Sequence, residues 1–171
     1  MKGTAAVPGR GFVHQVTQTG RTAKPFLELM AGTCRLANAV AERGIPAESF
    51  EITRSVVEDI MSTANTSSIR NRIKRRRVTG IWIGITCASW SRARRGNPNK
   101  RGFPPPLRDD TVQGIWGLVD VSDKDQERIW LGNQLALWTA SISRLAIRYR
   151  VPIAIENPLT SRLWIFPPIA K

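Results

Sequence analysis

Phe26-Leu27-Glu28-Leu29-Met30-Ala31-Gly32-Thr33 decides the fold of this chain. Phe26 to Met30 is too short for a helix and mostly apolar, as a strand in the middle of a parallel sheet should be. It runs straight into a small-residue turn, Ala31-Gly32-Thr33. Leu36, Ala39, Val40 and Arg43 then recur at helical spacing, and Gly44 stops that helix. Outward from this strand–turn–helix, Ser49-Phe50-Glu51-Ile52 reads as a weaker second strand. A helix capped by Ser67 or Ser68 should run to about Arg77, with Ile69 and Ile73 on its inner face. Ile81-Trp82-Ile83-Gly84-Ile85 is a buried strand. Ser122 opens a long helix with Asp123, Asp125 and Glu127 in its first turns, and Ile129, Leu135, Trp138, Ile142 and Leu145 form its apolar face. Pro152-Ile153-Ala154-Ile155 is the next strand, ending at Glu156-Asn157-Pro158. Strands alternating with helices predict an α/β fold: a Rossmann-like parallel sheet with helices on both faces.

The length, 171 residues with 42% hydrophobic, suits one such domain and a buried core. Residues 1–24 hold Lys2, Arg10, Arg21 and Lys24, no acid and no periodicity, and read as a basic flexible arm. The domain proper is expected over 25–171. No apolar run reaches the roughly 18 residues of a membrane span. An N-terminus without an apolar stretch points to an intracellular setting. Two cysteines and one histidine are too few for a zinc site or a disulfide framework, so no metal is expected.

Ligands of parallel α/β sheets sit beyond the carboxyl ends of the strands. Glu28, Gly32 and Thr33, Glu51, Cys87, Glu156 and Asn157 all fall there. A glycine turn opening a helix lets backbone amides meet a ligand, though a tight turn without one reads equally well. Glu51, one strand later, can accept hydrogen bonds from ribose hydroxyls or be an ordinary exposed carboxylate. Cys87 heads Cys87-Ala88-Ser89-Trp90-Ser91-Arg92-Ala93-Arg94-Arg95, where guanidinium groups favour its thiolate. The competing reading is a buried strand-end thiol.

Together these segments resemble the cytosine-C5 DNA methyltransferases. Phe26 to Gly32 resembles that family's first motif, and Thr86-Cys87-Ala88-Ser89-Trp90-Ser91 its Pro-Cys-Gln-x-Phe-Ser motif. Glu156-Asn157-Pro158 stands for Glu-Asn-Val, and Glu51 and Asp59 for the acidic groups of the second and third motifs. The resemblance spans roughly residues 25–166. It implies an S-adenosylmethionine-dependent methyltransferase fold, with the cofactor at Glu28, Gly32, Thr33, Glu51 and Asp59. Cys87 would be the nucleophile at C6 of an extruded cytosine, Glu156 the acid at N3, and Asn157 their neighbour in the catalytic motif. The sequence departs at Thr86 for proline, Ala88 for glutamine and Cys34 for the second glycine. No counterpart of the family's target-recognition region follows in this sequence, which leaves open a small enzyme, a subunit completed by a partner chain, a truncated relic, or a catalytically inactive module that binds nucleic acid or assembles with a partner.

From Met61 to Leu107 there is no acidic residue. Arg70, Arg72, Lys74, Arg75, Arg76 and Arg77 precede the Cys87 strand; Arg92, Arg94, Arg95, Lys100 and Arg101 follow it. With a net charge of +13 this favours a nucleic-acid partner, with Arg75, Arg76, Arg77, Arg92, Arg94 and Arg95 on phosphates; the family resemblance implies DNA before RNA. Trp90 or Trp116 is a candidate to stack on the extruded base, and most of the other tryptophans are expected in the core.

Overall fold

A computed structural model describes residues 23–94 and 104–170 of the chain. Four parallel strands form one sheet: β1 (Phe26–Leu29), β2 (Ala47–Phe50), β3 (Gly80–Gly84) and β4 (Ile153–Glu156). Their order is β2-β1-β3-β4. The chain steps outward from β1 to β2 and then returns to the other side of β1, so the order reverses between β1 and β3. In open α/β sheets that reversal leaves a crevice at the strand ends. Four helices accompany the strands: α1 (Arg35–Glu42), α2 (Thr63–Lys74), α3 (Asp123–Arg148) and the short α4 (Pro167–Ala170). The chain is thus an α/β protein with an all-parallel sheet, and residues 1–22 of the expected basic arm lie outside the described residues.

Parallel register aligns side chains of one face in rows. Leu27 pairs with Ile81 and Ile81 with Ile153; Leu29 pairs with Ile83 and Ile83 with Ile155. Ile69 and Ile73 of α2 and Trp138 and Ile142 of α3 close over these rows to make the main core. Glu28, Trp82 and Ala154 form a row on the other face. There α1 packs mainly on β1 and β2. Ala154 and Glu156 on the edge strand β4 remain exposed. Both faces carry helices, but unequally.

The long helix α3 starts at the expected Ser122 cap, whose hydroxyl accepts from the Asp125 amide. Helix α2 starts earlier than its sequence suggests. Ser62, not Ser67 or Ser68, is the cap and accepts from the Asn65 amide at 3.2 Å. The Asn65 side chain then donates to the carbonyls of Val57 and Asp59, stitching a polar first turn that apolar periodicity cannot reveal. Of the six tryptophans Trp90 and Trp138 are buried, Trp82 and Trp164 are half-buried, and Trp116 and Trp130 are 40% and 62% exposed, so the expected core placement holds fully for two and partly for two. Among the described residues no helix is long and apolar enough to cross a membrane.

Candidate functional site at the strand ends

The turn after β1 is tightly coiled. Met30, Gly32 and Cys34 all have left-handed backbone, with φ of 55°, 53° and 57°. Cys34 is the N-cap residue of α1 and offers no side-chain cap. Glu28 supplies it from the strand below: its Oε2 accepts the Ala37 amide at 2.7 Å, with the residue only 6% exposed. A carboxylate suits a helix N-terminus on both hydrogen-bonding and dipole grounds. Glu28 is therefore first a structural cap, which the motif alone does not disclose.

Glu51 joins β2 to this turn. Its Oε2 accepts the Gly32 amide at 2.7 Å, and its Oε1 accepts the Thr53 amide at 3.0 Å and hydroxyl at 2.8 Å. Partial burial pushes the carboxyl up, but the bonds from Thr53 and Gly32 and the nearby Arg54 outweigh it and hold Glu51 below the usual range. A carboxylate accepts about four hydrogen bonds, so one position stays open after these three. A Cβ built on Gly32 would meet nothing within 4 Å, and Thr33 is exposed, so the space above the turn is clear. Ile52, Val56 and Val57 lie beside Glu51 in sequence and are 54%, 81% and 76% exposed, an apolar surface that periodicity did not single out. Asp59 sits at the start of α2, where its Oδ1 accepts the Met61 amide at 2.8 Å.

Arg54 braces the same corner. It donates to Glu58, to the Ser49 carbonyl and hydroxyl, and to Cys34 Sγ at 2.8 Å. Cys34 is buried, and Cys87 is exposed. Of the two thiols, only Cys87 can meet a large substrate.

Cys87 sits in a turn closed by its own carbonyl, which accepts the Trp90 amide at 3.0 Å and the Ser91 amide at 2.9 Å. Two residues on, the chain dives inward. Trp90 is 0% exposed and packs at 4.8 Å from the Phe166 ring, so it cannot stack on a base, and of the two candidates only Trp116, 40% exposed, keeps that option. Above it lies Arg108, also 0% exposed, its guanidinium carbon 3.5 Å from the Trp90 ring centre. Arg108 donates to Ser89 Oγ at 3.1 Å, Asn133 Oδ1 at 2.7 Å, and the carbonyls of Ile115 and Ile129 at 2.8 and 3.0 Å. None of these partners is a carboxylate, and burial lowers the guanidinium to about 10. Ring and carbonyl dipoles replace a counter-ion here. Gly132 of α3 makes room for this packing, because a Cβ there would collide with Ser89 Oγ. Ser89 and Trp90 are the anchors of the Cys87 turn, and Arg108 is the latch across them. Nothing in a lone arginine after a proline run marks that role in sequence.

Glu156 ends β4 and pairs in register with Gly84 of β3, three residues before Cys87. Its side chain is exposed, with no hydrogen bond among the described residues. Asn157 donates through Nδ2 to the Ile85 carbonyl at 2.6 Å, while its buried Oδ1 has no partner among the described residues. Its amide thus positions the two strand ends and does not itself face a substrate through that donor.

The basic tract divides. Arg72 forms a two-toothed pair with Glu48 of β2, and Arg70 donates to Ser141 of α3; both serve the fold. Arg75, Arg76 and Arg77 are exposed but precede β3, whereas Cys87 follows it. β3 has 5 residues, about 16 Å at the usual rise. Those three arginines therefore sit at the opposite edge of the sheet and do not share the Cys87 site. Arg92 and Arg94 do flank it, paired with Asp110 and Asp125. Arg95, Lys100 and Arg101 lie outside the described residues. Arg162, unmarked by the sequence reading, joins them: its amide donates to the Trp90 carbonyl and its Nε to Asp110. No cluster of metal-ligating side chains occurs among the described residues. Comparison with protein-family models, curated proteins and solved structures gives no match.

Proposed function

We propose that this chain is a class I methyltransferase-like domain that binds S-adenosylmethionine at the ends of β1 and β2. Through Cys87, it methylates cytosine C5 in nucleic acid, DNA before RNA. One observation carries the reading: an exposed thiol and an exposed carboxylate, Cys87 and Glu156, follow adjacent parallel strands tied by the Asn157–Ile85 bond.

The donor set at the first turn fits the cofactor. The open acceptor position of Glu51 suits a ribose hydroxyl, and Ile52, Val56 and Val57 offer apolar contact to an adenine. Glu28 and Thr33 frame the turn, and Asp59, whose carboxylate holds the Met61 amide, is the further acid the resemblance assigns to the cofactor. Bound there, S-adenosylmethionine supplies the electrophilic methyl group. The thiolate of Cys87 forms a bond to C6 of an extruded cytosine, and the electron pair moves toward C5. Glu156 holds the proton shared with N3, which makes the ring a better acceptor. Methyl transfer to C5 would leave S-adenosylhomocysteine; the C5 proton then passes to solvent as the C6–sulfur bond breaks, restoring the aromatic base and the Cys87 thiolate. The arginines beside Cys87 suit the substrate's backbone charge.

A second reading, an inactive module that binds nucleic acid or assembles with a partner chain, is favoured by the turn itself. Cys34 holds a left-handed position that glycine would take without strain, and the bare face of β4 leaves room for a partner carrying target recognition. Transfer of a labelled methyl group from S-adenosylmethionine to cytosine-containing DNA tests the two. Transfer that Cys87→Ser abolishes supports the enzyme. Cofactor binding without transfer supports the module, and no cofactor binding at millimolar concentration overturns the methyltransferase reading.

A further inference from the structure

Arg92, Arg94 and Arg162 line a cleft of about 300 Å³ together with Pro106. They come from two separate segments, the loop after Cys87 and the chain after β4. The Arg162 amide bond to the Trp90 carbonyl fixes the second segment onto the Cys87 turn. Asp110 bridges the two segments: its Oδ2 accepts Arg92 Nη1 at 2.7 Å and its Oδ1 accepts Arg162 Nε at 2.9 Å. The bond from Arg92, together with the bond and charge of Arg162, outweighs desolvation and keeps the Asp110 carboxyl below its usual range. Asp110 is nevertheless 51% exposed and Arg162 only 14%. The solvent-facing partner of this pair is the carboxylate, and the arginine is the seated one. Arg94, equally sheltered at 14%, is held by Asp125 and the Pro105 carbonyl.

The two Nη groups of Arg162 make no hydrogen bond among the described residues. A guanidinium has five N–H donors, and here one of them is used, so a cleft-lining side chain keeps donors to spare at its Nη groups. An anion with several oxygens completes such a charged fork with strong, short hydrogen bonds. A phosphodiester offers two unesterified oxygens and fits a guanidinium fork, whereas a single carboxylate already occupies only the Nε edge.

We infer that Arg92, Arg94 and Arg162 form a clamp for one backbone phosphate next to the nucleotide presented to Cys87, and that Asp110 is the internal anion it displaces. This rests on the nucleic-acid reading of the Cys87 site but not on methyl transfer. The clamp is separate from the Arg75–Arg77 patch at the far sheet edge. In the free protein Asp110 preorganises the two arginines and lowers nonspecific anion capture. On binding, the phosphate takes the forks and Asp110 swings to solvent, where its exposure already places it.

Anisotropy titration of a short fluorescent single-stranded, cytosine-containing oligonucleotide tests this. Arg162→Ala should weaken binding roughly tenfold and reduce the slope of log K against log salt by about 1, one phosphate contact. Asp110→Asn should tighten binding about threefold to tenfold in the wild-type background, and by clearly less in the Arg162→Ala background, where only Arg92 is released. Asp120→Asn, which removes an exposed acid outside the cleft, controls for net charge and should change affinity equally in both backgrounds. Thermal unfolding checks that each variant folds. Arg162→Lys keeps the charge and loses the fork; it should also reduce the Asp110→Asn gain, and it replaces the alanine variant if that one fails to fold. Additive effects of Asp110→Asn and Arg162→Ala overturn the clamp, as does an unchanged salt slope in folded Arg162→Ala or an absence of oligonucleotide binding by the wild type. Loss of methyl transfer with this coupling intact counts against cytosine methylation and leaves the clamp standing.

Discussion

Asn157 Nδ2 reaches the Ile85 carbonyl at 2.6 Å, so the segment that follows Glu156 is bonded to the segment that leads to Cys87 just after both leave the sheet. Parallel strand ends otherwise splay, because backbone pairing stops with β3 and β4. The bond fixes the spacing of thiol and carboxylate without touching either.

Asn157→Ala should therefore cost about 1–2 kcal/mol in urea unfolding, since it leaves the Ile85 carbonyl unpaired. Its functional signature should differ from that of the reacting groups. If methyl transfer occurs, kcat should fall more than KM rises, because substrate contacts remain while alignment is lost. An equal loss in Asn157→Asp is expected, as the carboxylate cannot donate to a carbonyl. A variant with wild-type kcat would remove Asn157 from any positioning role.

Gly132 reverses a common rule. Inside a helix, Gly→Ala ordinarily gains about 1 kcal/mol. At this point in α3 the added Cβ would meet Ser89 Oγ and crowd Arg108 Nη2. Gly132→Ala should lose about 1–3 kcal/mol and loosen the Cys87 turn. A double-mutant cycle with Ser89→Ala should show positive coupling, because the smaller side chain relieves the clash. Denaturation midpoints of the four proteins decide it.

These two cases show what was and was not legible from sequence. The strand around Leu27, the strand around Ile83 and the Ser122 cap could be read because short apolar runs and caps are local signals. The order of Glu51, Cys87 and Glu156 at strand ends could be read for the same reason. Arg108 could not, because its meaning lies in a long-range meeting of Ser89, Trp90 and Asn133. Arg162 was missed likewise: only the Trp90 carbonyl and Asp110 give it a place. Glu28 was readable as a strand-end acid but not as the cap of α1, since the partner amide lies on the next element. Arg75–Arg77 looked continuous with the Cys87 flank in sequence, and the intervening strand carries them apart.

Cys34 holds φ of 57° with a side chain, which costs of order 1 kcal/mol relative to glycine. Against this, the thiol accepts from Arg54 Nη1 and glycine would loosen the unfolded chain. Cys34→Gly should thus shift stability by less than about 1 kcal/mol. Cys34→Val should lose about 2 kcal/mol or more, as β-branching resists left-handed backbone. Equal stability of the glycine and valine variants in urea unfolding would argue against a strained turn.

The separation of the two basic patches has a direct consequence for salt dependence. Replacing Arg75, Arg76 and Arg77 together should leave the salt slope of short-oligonucleotide binding unchanged, since a ligand held at Cys87 does not reach the other sheet edge. A long duplex can touch both, and there the slope should fall by up to about 3. A fall with the short ligand would place its binding site at the β3 start instead.

Glu51 contributes to the acid limb of stability, alongside Asp109, Asp110 and Asp125. Its carboxyl lies below the usual range in the folded chain, through its bonds to Thr53 and Gly32 and the field of Arg54, which outweigh partial burial. A carboxyl depressed by folding contributes stability above its unfolded value, and this is lost as pH falls through the folded value. Between neutrality and about pH 5 the contribution should be constant, because both states are ionised there. Below that, the unfolded chain takes up the proton first and the advantage declines. Urea unfolding followed from pH 7 to pH 3 should therefore show a loss that Glu51→Gln makes shallower, with the variant already less stable at pH 7. The amide can still accept at one oxygen, but its NH2 faces either the Gly32 or the Thr53 amide, donor against donor. If the Gly32 turn also receives S-adenosylmethionine, the same variant should bind it roughly tenfold more weakly at neutral pH, the loss expected for a charged hydrogen-bond acceptor. Calorimetry at pH 7 reads this. An acid limb identical to the wild type would show that Glu51 is not held by the turn. An unchanged cofactor affinity beside an altered acid limb would confine Glu51 to structure.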